Sequence, residues 1–470
     1  MRRFLSALPL CLAAFACGSH SSDSAAGAAP GTGGASGGAG ASGSAGSNAG
    51  SGASSNAGSG GVAGVAGVAG SGGQGGALSS GRSFSDTNGL IAILADQLPT
   101  MNDAQLAFAA SHYVGTEKQL LSVTHALRAL NPNFLVLHYH LSMWQSAPTT
   151  DFIVDGVSWG NDYPSVDTHE SWFWHNASNQ RVPSNADGKL LMNIADSGFR
   201  QYWATSLATQ VAAGEYDGVF FDSASPALLQ GECSDSDPRL AGTAARDTQF
   251  SELGNQSFIS AWQTWISALN AALLAQGTPL LPNTSAFVTG WDNTDYSLSA
   301  GAFVEGFADT SFAVSDWQAS TNELLKLSAL DKIVILQNYL GDSGDIATRL
   351  YYLGNYLLVK GHHTYLDYFA GGPLEWYPEW EIALGAPLSA AASVSELAAN
   401  GVYRRDFANG SVLVNPSSAP VTVALGGTYQ RVVPTGGGAV DASGMPSGSL
   451  AEQATSSVMV AATSAEILLK

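Results

Sequence analysis

Apolar segments alternate with amphipathic ones from about residue 82 onward, which predicts repeated strand and helix units. Short apolar runs predict eight strands: Leu106–Tyr113, Phe134–His140, Lys189–Ile194, Gly218–Asp222, Pro279–Asn283, Ala302–Phe307, Lys332–Asn338 and His363–Tyr368. Apolar residues at spacings of three and four predict helices over Glu117–Leu130, Arg200–Ala213, Ser257–Ala275, Ser315–Leu330 and Ile346–Lys360. The alternation predicts a (β/α)8 barrel of the TIM type over residues 83–390. The segment Ile91–Leu98 is an alternative first strand.

The pattern changes to period two from Gly401 onward, with turn residues every few positions. Six short alternating segments, among them Ser411–Pro416 and Ala465–Lys470, have the spacing of antiparallel strands. Residues 398–470 are therefore expected to form a small antiparallel β-sandwich domain behind the barrel.

The first residues have the layout of a secretory signal peptide, a basic pair followed by a short apolar run that ends at Cys17. The segment Ala14–Cys17 resembles a bacterial lipoprotein cleavage box, although the usual leucine is replaced by Ala14, and an ordinary signal peptide is the alternative. We expect residues 1–17 to form the signal peptide region and Cys17 to be lipidated. Residues 18–82 are almost entirely Gly, Ala and Ser, the composition of a disordered linker.

These N-terminal features predict an exported protein, either an outer-membrane or cell-surface lipoprotein or a secreted one, attached to a membrane only through the lipid. Of the three cysteines, only Cys233 lies in the part of the chain that is expected to fold, so no intrachain disulfide is expected there. The net charge of −20, from 38 acids against 18 Lys and Arg, argues against a nucleic-acid partner because phosphates would be repelled.

Three acids lie where predicted strands end, the edge at which barrel enzymes carry their reactive groups: Asp222, Glu305 and Asp367. A helix cap or loop ion pair is the alternative for Asp222, whereas Glu305 sits in an apolar strand and needs a partner or a function. For Asp367, a structural acid is the alternative to substrate contact. Two carboxylates on one face suit glycosidic bond cleavage, with retention at about 5 to 5.5 Å and inversion at about 6.5 to 9.5 Å.

Aromatic and polar residues that follow strands are candidates for binding a carbohydrate substrate. Tryptophan rings can stack on sugars, and polar side chains can hydrogen-bond to them. These candidates are Trp144, Trp174, Trp376, His138, His140, Asn283, Asn338 and Asp367. Packing is the alternative for each tryptophan, as it is for Trp172, Trp291 and Trp380.

The pair His138 and His140 also resembles the metal-binding histidines of amidohydrolase-type barrels. That chemistry needs further histidines, and none occurs between His175 and His362. We therefore expect no metal and no cofactor, and a metal-dependent barrel hydrolase is the weaker reading.

Several segments in order resemble hypothetical glycosyl hydrolase family 15, a group of bacterial glycoside hydrolases: FAASHYVGTEK, LHYH, ESWFWHN, YDGVFFDS, LLPN, FVEGF, PEWEIALGAP and RRDFANGSVLVNP. The resemblance covers most of Arg82–Lys470 and implies a barrel with a C-terminal β-domain that acts on glycans. Related α-specific barrels imply Asp222 as nucleophile and Glu305 as acid/base, which is a retaining mechanism. The alternatives are a tethered glycan-binding protein that has lost catalysis and a structural surface protein.

Overall fold

The computed structural model describes residues 81–145, 153–154, 157–158, 162–175, 179–183, 188–224, 253–284 and 294–470. The predicted signal at residues 1–17, lipidation of Cys17, the linker up to residue 80, Cys233 and Trp291 lie outside these ranges. Within them, no helix combines the length and the apolar character needed to cross a membrane.

The helices are α1 Asp103–His112, α2 Leu121–Leu130, α3 Tyr163–Val166, α4 Ser197–Ala213, α5 Leu253–Leu274, α6 Val314–Ala329 and α7 Ile346–Leu358. The first twelve strands in the described ranges are β1 Leu94–Ala95, β2 Gly115–Thr116, β3 Leu135–Leu141, β4 Trp144–Gln145, β5 Ile153–Val154, β6 Val157–Ser158, β7 Leu190–Leu191, β8 Gly218–Asp222, β9 Leu280–Pro282, β10 Gly301–Glu305, β11 Ile333–Tyr339 and β12 Thr364–Phe369. The remaining strands are β13 Glu375–Trp376, β14 Ala398–Ala399, β15 Val402–Phe407, β16 Gly410–Asn415, β17 Val421–Thr435, β18 Gly438–Ala439, β19 Ser449–Val460 and β20 Ser464–Leu469.

Parallel strands form two sheets, one ordered β1-β2-β3-β8-β9 and the other β10-β11-β12. Isolated parallel bridges connect their edges, from Asn283 to Phe303 and from Ile93 to Leu366. The strand predictions are confirmed within two residues for β3, β8, β9, β10, β11 and β12, and all five predicted helices are present.

Two predicted strands are wrong. Leu106–Tyr113 lies almost wholly in α1, where Asn102 and Gln105 form a capping box that starts the helix, so the short apolar run is a helix face. In Lys189–Ile194, only Leu190–Leu191 is extended, and it pairs antiparallel with β4 outside the parallel sheets. The alternative segment Ile91–Leu98 does contain the first strand, and β2, which has two residues, gave no apolar run to detect.

The parallel strands have apolar residues on both faces, and each face packs into its own core. The face toward the helices belongs to a large core that includes Val219 and Phe221 of β8 and Trp203 and Trp265 of the helices. The opposite face forms what we call the small core: Phe84, Ala92, Leu94, Leu135, Leu137, Tyr139, Phe220, Leu281, Phe303, Ile335 and Tyr365. In its centre the rings of Phe220 and Phe303 lie 4.3 Å apart.

The C-terminal strands form one antiparallel sheet of order β14-β15-β16-β20-β17-β19, whereas the sequence predicted a sandwich of short strands. The Gly-Gly pair at residues 426–427 does not form a turn between two strands. Instead β17 continues through it with a register irregularity between Ala424 and Tyr429, and Gly426 adopts a φ of +71° that suits glycine. Helix α7 packs closely on this sheet, since a Cβ on Gly354 would collide with Ala465 of β20.

Candidate active site

A layer of polar side chains follows the small core along the parallel strands. Because side chains alternate along a strand, the residue two positions after a small-core residue lies on the same face, one step nearer the strand's carboxyl end. The residues that follow Leu94, Leu137, Phe220, Leu281, Phe303, Ile335 and Tyr365 in this way are Asp96, Tyr139, Asp222, Asn283, Glu305, Gln337 and Asp367. The small core is therefore followed by a polar layer, formed by these seven residues, at the edge where the parallel strands end.

Asp222 is buried at the end of β8 and accepts three hydrogen bonds. The Tyr139 hydroxyl donates to Oδ2 at 2.8 Å, and the Ser223 backbone N–H donates to Oδ1 at 2.7 Å. The side chain of Asn283 donates to Oδ1 at 2.9 Å. The three donors hold the carboxyl group of Asp222 in one orientation.

Asn283 also contacts Glu305, the last residue of β10. Its Nδ2 donates to Glu305 Oε2 at 2.8 Å, so one amide nitrogen bridges both acids. Since each oxygen lies within 2.9 Å of that nitrogen, they are at most about 6 Å apart, a separation that bears on glycosidic chemistry. Burial and the nearby Asp222 raise the pKa of Glu305, which favours its protonated form.

Tyr339 is a residue of this site that the sequence analysis missed. Its hydroxyl donates to Glu305 Oε1 at 2.7 Å, while its side chain is 53% exposed and its ring makes an edge contact with Phe369 at 5.1 Å. The sequence feature that could have identified Tyr339 is its position two residues after Gln337 on β11, which places it on the same face as the small core.

Further acids surround the pair. Asp367 is buried on β12 and accepts from the Asp96 backbone N–H at 2.9 Å, and burial raises its pKa well above the usual range. Glu117, directly after β2, is also buried, and burial followed by the charge of Asp96 raises its pKa. Lys118 lies beside these acids and forms an ion pair of 2.7 Å with Asp96. The sequence analysis did not single out Glu117 because β2 has no apolar run.

The predicted substrate contacts His138 and His140 lie on the other face of β3 from Tyr139. His138 Nε2 is 2.7 Å from Gln210 Oε1 on α4, and burial lowers its pKa to about 3. His140 is buried against Trp203, with Nδ1 2.6 Å from the Leu141 carbonyl. The structure therefore places both imidazoles in the helix-facing layer and does not bring them to Asp222 and Glu305.

The other predicted contacts also have packing or backbone partners. Asn338 is buried on β11 and donates to the Phe307 carbonyl at 2.5 Å. Trp144 lies in the large core and Trp174 packs against its edge. Trp376 is buried against Trp380, and its Nε1 donates to Glu381 at 2.8 Å. Of the predicted set, Asn283 alone bridges the two acids, and Asp367 lies in the same polar layer.

Metal ligation has no counterpart in the described ranges, where no group of three or more His, Cys, Asp or Glu side chains is arranged to hold an ion. The polar layer offers instead two adjacent carboxyl groups, one accepting three hydrogen bonds and one with a raised pKa. Such a pair can supply a nucleophile or base together with a proton donor.

Comparisons with known proteins were made by sequence and by structure. No curated protein matches the chain. Similar solved structures include a glucanotransferase from Paenibacillus sp. complexed with cycloisomaltoheptaose (11% identity, TM-score 0.29, covering 81% of this chain and 55% of that one). They also include the maltogenic α-amylase AmyB of Thermotoga neapolitana (10% identity, TM-score 0.38, 80% and 98%) and a dextranase of Flavobacterium johnsoniae complexed with isomaltotriose (7% identity, TM-score 0.42, 82% and 52%). The chain thus spans about half the length of the glucanotransferase and of the dextranase.

A family model described as hypothetical glycosyl hydrolase family 15 matches residues 128–411, which include β3, β8, β9, β10, β11 and β12 with both acids of the pair. The match covers more than half of the chain. The protein therefore belongs to hypothetical glycosyl hydrolase family 15.

Proposed function

We propose that the protein is a retaining glycoside hydrolase that cleaves a poly- or oligosaccharide, with Asp222 as nucleophile and Glu305 as acid/base. The observation that carries this proposal is the bridge made by Asn283 between the two acids. Family membership supports the reaction class, and the geometry of the pair supports the roles.

We further propose that the eight parallel strands close into a (β/α)8 barrel over residues 83–390. Support comes from the uniform parallel pairing and from the bridges Asn283–Phe303 and Ile93–Leu366, which join both ends of one sheet to the other. In such a barrel the polar layer lies at the carboxyl-terminal face, where barrel enzymes carry their active sites. The C-terminal sheet, residues 398–470, is then an accessory domain.

The separation of the acids favours retention. Retaining enzymes hold their carboxyl groups about 5 to 5.5 Å apart, whereas inverting enzymes leave about 6.5 to 9.5 Å for a water molecule. Two oxygens that share one amide nitrogen at 2.8 and 2.9 Å agree with the shorter separation.

The reaction has two steps. In the first, an Asp222 oxygen forms a bond to the anomeric carbon, the glycosidic C–O bond breaks, and the proton of Glu305 moves to the leaving oxygen. In the second, ionised Glu305 takes a proton from water, the water oxygen bonds to the anomeric carbon, and Asp222 leaves as a carboxylate. The raised pKa of Glu305 suits the first step, and the three hydrogen bonds to Asp222 hold the nucleophile for attack.

The binding of sugar by Tyr339 is part of this proposal. Its exposed ring and the edge contact with Phe369 form an aromatic surface beside Glu305, on which a pyranose ring can stack. Contacts from the other predicted substrate-binding residues, and export with a lipid at Cys17, stay predictions.

The test is a reducing-end assay of the purified protein on a panel of polysaccharides. We expect hydrolysis of at least one, with Glu305→Gln lowering turnover by about 10²- to 10⁴-fold and Asp222→Asn by at least as much. Exposed-acid variants Asp342→Asn and Glu452→Gln are matched controls and should retain activity. Sugar binding without hydrolysis by the wild type would favour the glycan-binding alternative.

A second measurement separates the two roles. An aryl glycoside with a good leaving group needs no proton in the first step, so it should restore glycosylation in Glu305→Gln but not in Asp222→Asn. Equal activity of both variants on that substrate would reject the assignment of roles.

A further inference from the structure

Glu117 is a buried acid that the proposed two-step reaction does not use. Its side chain is fully buried, and burial followed by the charge of Asp96 raises its pKa. A buried carboxyl group is unfavourable unless its oxygens are hydrogen-bonded. Its hydrogen-bond partner therefore indicates what it does.

That partner is Gln337, which lies between Glu305 and Asp367 in the sheet register. In the amide orientation that satisfies both ends, Nε2 donates to the two oxygens of Glu117 at 2.9 and 3.0 Å. The Gln337 carbonyl oxygen then accepts from the Tyr339 hydroxyl at 3.1 Å. In this orientation both oxygens of Glu117 accept from the amide nitrogen, so the carbonyl end of Gln337 faces Tyr339.

Tyr339 connects this amide to the acid/base. Its oxygen lies 2.7 Å from Glu305 Oε1 and 3.1 Å from the Gln337 oxygen, and its one proton can serve only one of them at a time. When Glu305 is ionised, the hydroxyl donates to Glu305. When Glu305 carries its proton, the hydroxyl can turn to Gln337 and accept that proton's hydrogen bond.

Asn283 decides which oxygen of Glu305 carries the proton. Its amide donates to Oε2, so protonation of Oε2 would weaken that bond, whereas Oε1 faces Tyr339. The chain of contacts Glu117–Gln337–Tyr339–Glu305 therefore supports the protonated acid in one orientation, from which the proton can pass to a leaving oxygen.

We propose that Glu117 is a positioning residue for Glu305, acting through Gln337 and Tyr339 to keep the acid proton on Oε1. This inference rests on the proposed role of Glu305 in glycoside hydrolysis. The other charged groups that face Glu117 or Glu305 in the described part of the chain are Asp96, Lys118, Asp222 and Asp367, and all of them stay unchanged in the variants below.

The first variant is Glu117→Gln. Its amide can donate to the Gln337 oxygen, which turns the Gln337 nitrogen toward Tyr339 and leaves the hydroxyl to donate to ionised Glu305. The pKa of Glu305 should fall by about one unit, and the basic limb of the kcat/KM profile should move to lower pH by the same amount. Glu375→Gln is the matched control, since Glu375 is another buried glutamate, bonded to Tyr377 and the Ala370 N–H, outside this chain of contacts.

The second variant is Tyr339→Phe. It removes the hydroxyl that connects Gln337 to Glu305 and leaves all buried residues unchanged. Loss of the donor to ionised Glu305 should raise its pKa, opposite to the effect of Glu117→Gln. In the Tyr339→Phe background, Glu117→Gln should no longer shift the Glu305 pKa. A shift of equal size in both backgrounds would mean that Glu117 acts through space, and the proposal would be rejected.

Glu305 is titrated directly in the full chain by NMR of protein labelled with ¹³C at the glutamate carboxyl carbons, its signal assigned by its loss in Glu305→Gln. This readout does not depend on turnover. If Glu117→Gln shifts the titration of Glu305 in a protein without hydrolase activity, the positioning role of Glu117 is supported and the proposed function is rejected. If the enzyme is active and Glu117→Gln leaves the Glu305 titration unchanged, the positioning role of Glu117 is rejected and the proposed function stands.

Discussion

Asp222 and Glu305 share one hydrogen-bond donor, the side-chain nitrogen of Asn283, although they lie at the ends of different strands. The donor comes from directly after β9, the strand beside β8, and a bridge from Asn283 to Phe303 leads on to β10. The spacing of the acids is therefore set by backbone pairing. The predictions below test that arrangement and its surroundings.

Replacing Asn283 by Asp should place a third carboxyl group between the two acids. The shared donor is lost and the new charge repels both neighbours, so kcat/KM should fall by about 100-fold or more. Steady-state kinetics on the substrate found in the screen measure this, with circular dichroism to verify folding. Near wild-type activity of a folded Asn283→Asp protein would mean that the bridge is not used.

Removing the Tyr139 hydroxyl should remove one of the three hydrogen bonds that hold Asp222, the proposed nucleophile. A hydrogen bond to a charged group is worth about 1.5 to 3 kcal/mol, so Tyr139→Phe should lower kcat/KM by about 10- to 100-fold. Tyr365→Phe is the control, because Tyr365 belongs to the same small core but donates to the Ser85 carbonyl. Equal losses in the two variants would point to packing instead of support for Asp222.

The free energy of unfolding should decrease as the pH rises above the usual pKa range of carboxyl groups. Burial raises the pKa of Asp367, so the folded protein holds this proton more tightly than the unfolded chain does, and its stabilising effect is lost as pH rises through the folded pKa. Asp367→Asn should therefore show a smaller fall in unfolding free energy between pH 5 and the alkaline side. Urea unfolding at a series of pH values measures it, and an identical slope in wild type and variant would contradict the prediction.

Breaking the buried ion pair of Arg349 and Glu379 should destabilise the fold without touching the acids of the site. Both side chains are fully buried, with Nε and Nη2 bonded to the carboxylate at 2.7 and 2.9 Å. Arg349→Leu leaves Glu379 as an unpaired buried charge, which costs about 3 to 5 kcal/mol. The double variant Arg349→Leu with Glu379→Leu should recover part of that loss in urea unfolding, and no recovery would mean that packing dominates.

The main strands and Asp222 could be predicted from the sequence because each strand is an apolar run of at least three residues bounded by polar ones. The position of the histidines could not, since it depends on which face of β3 meets the site. The register pairs Tyr139 with Phe220 and His140 with Phe221, so Tyr139 shares the face of Asp222 and the histidines do not. Only the alignment of neighbouring strands, which is a long-range property, decides between these faces.

Glu117 and Tyr339 were missed for different reasons. Strand β2 has two residues and no periodic pattern, so nothing marked Glu117 as a strand-end acid. Tyr339 ends a strand whose predicted boundary stopped one residue earlier, at Asn338. Asp217, which directly precedes β8, is buried and accepts from Arg82, Arg128 and the Val136 N–H at 2.7, 2.7 and 2.8 Å. Such ion pairs join residues far apart in sequence, which local patterns do not reveal.

The ring pair of the small core has a practical consequence for engineering. Phe220 and Phe303, 4.3 Å apart, each come two residues before one acid of the pair, on the same side of their strands. A change in the volume of either ring is therefore expected to alter the gap between Asp222 and Glu305 without replacing a residue of the polar layer. Libraries meant to alter the spacing of the two acids can begin in this buried layer.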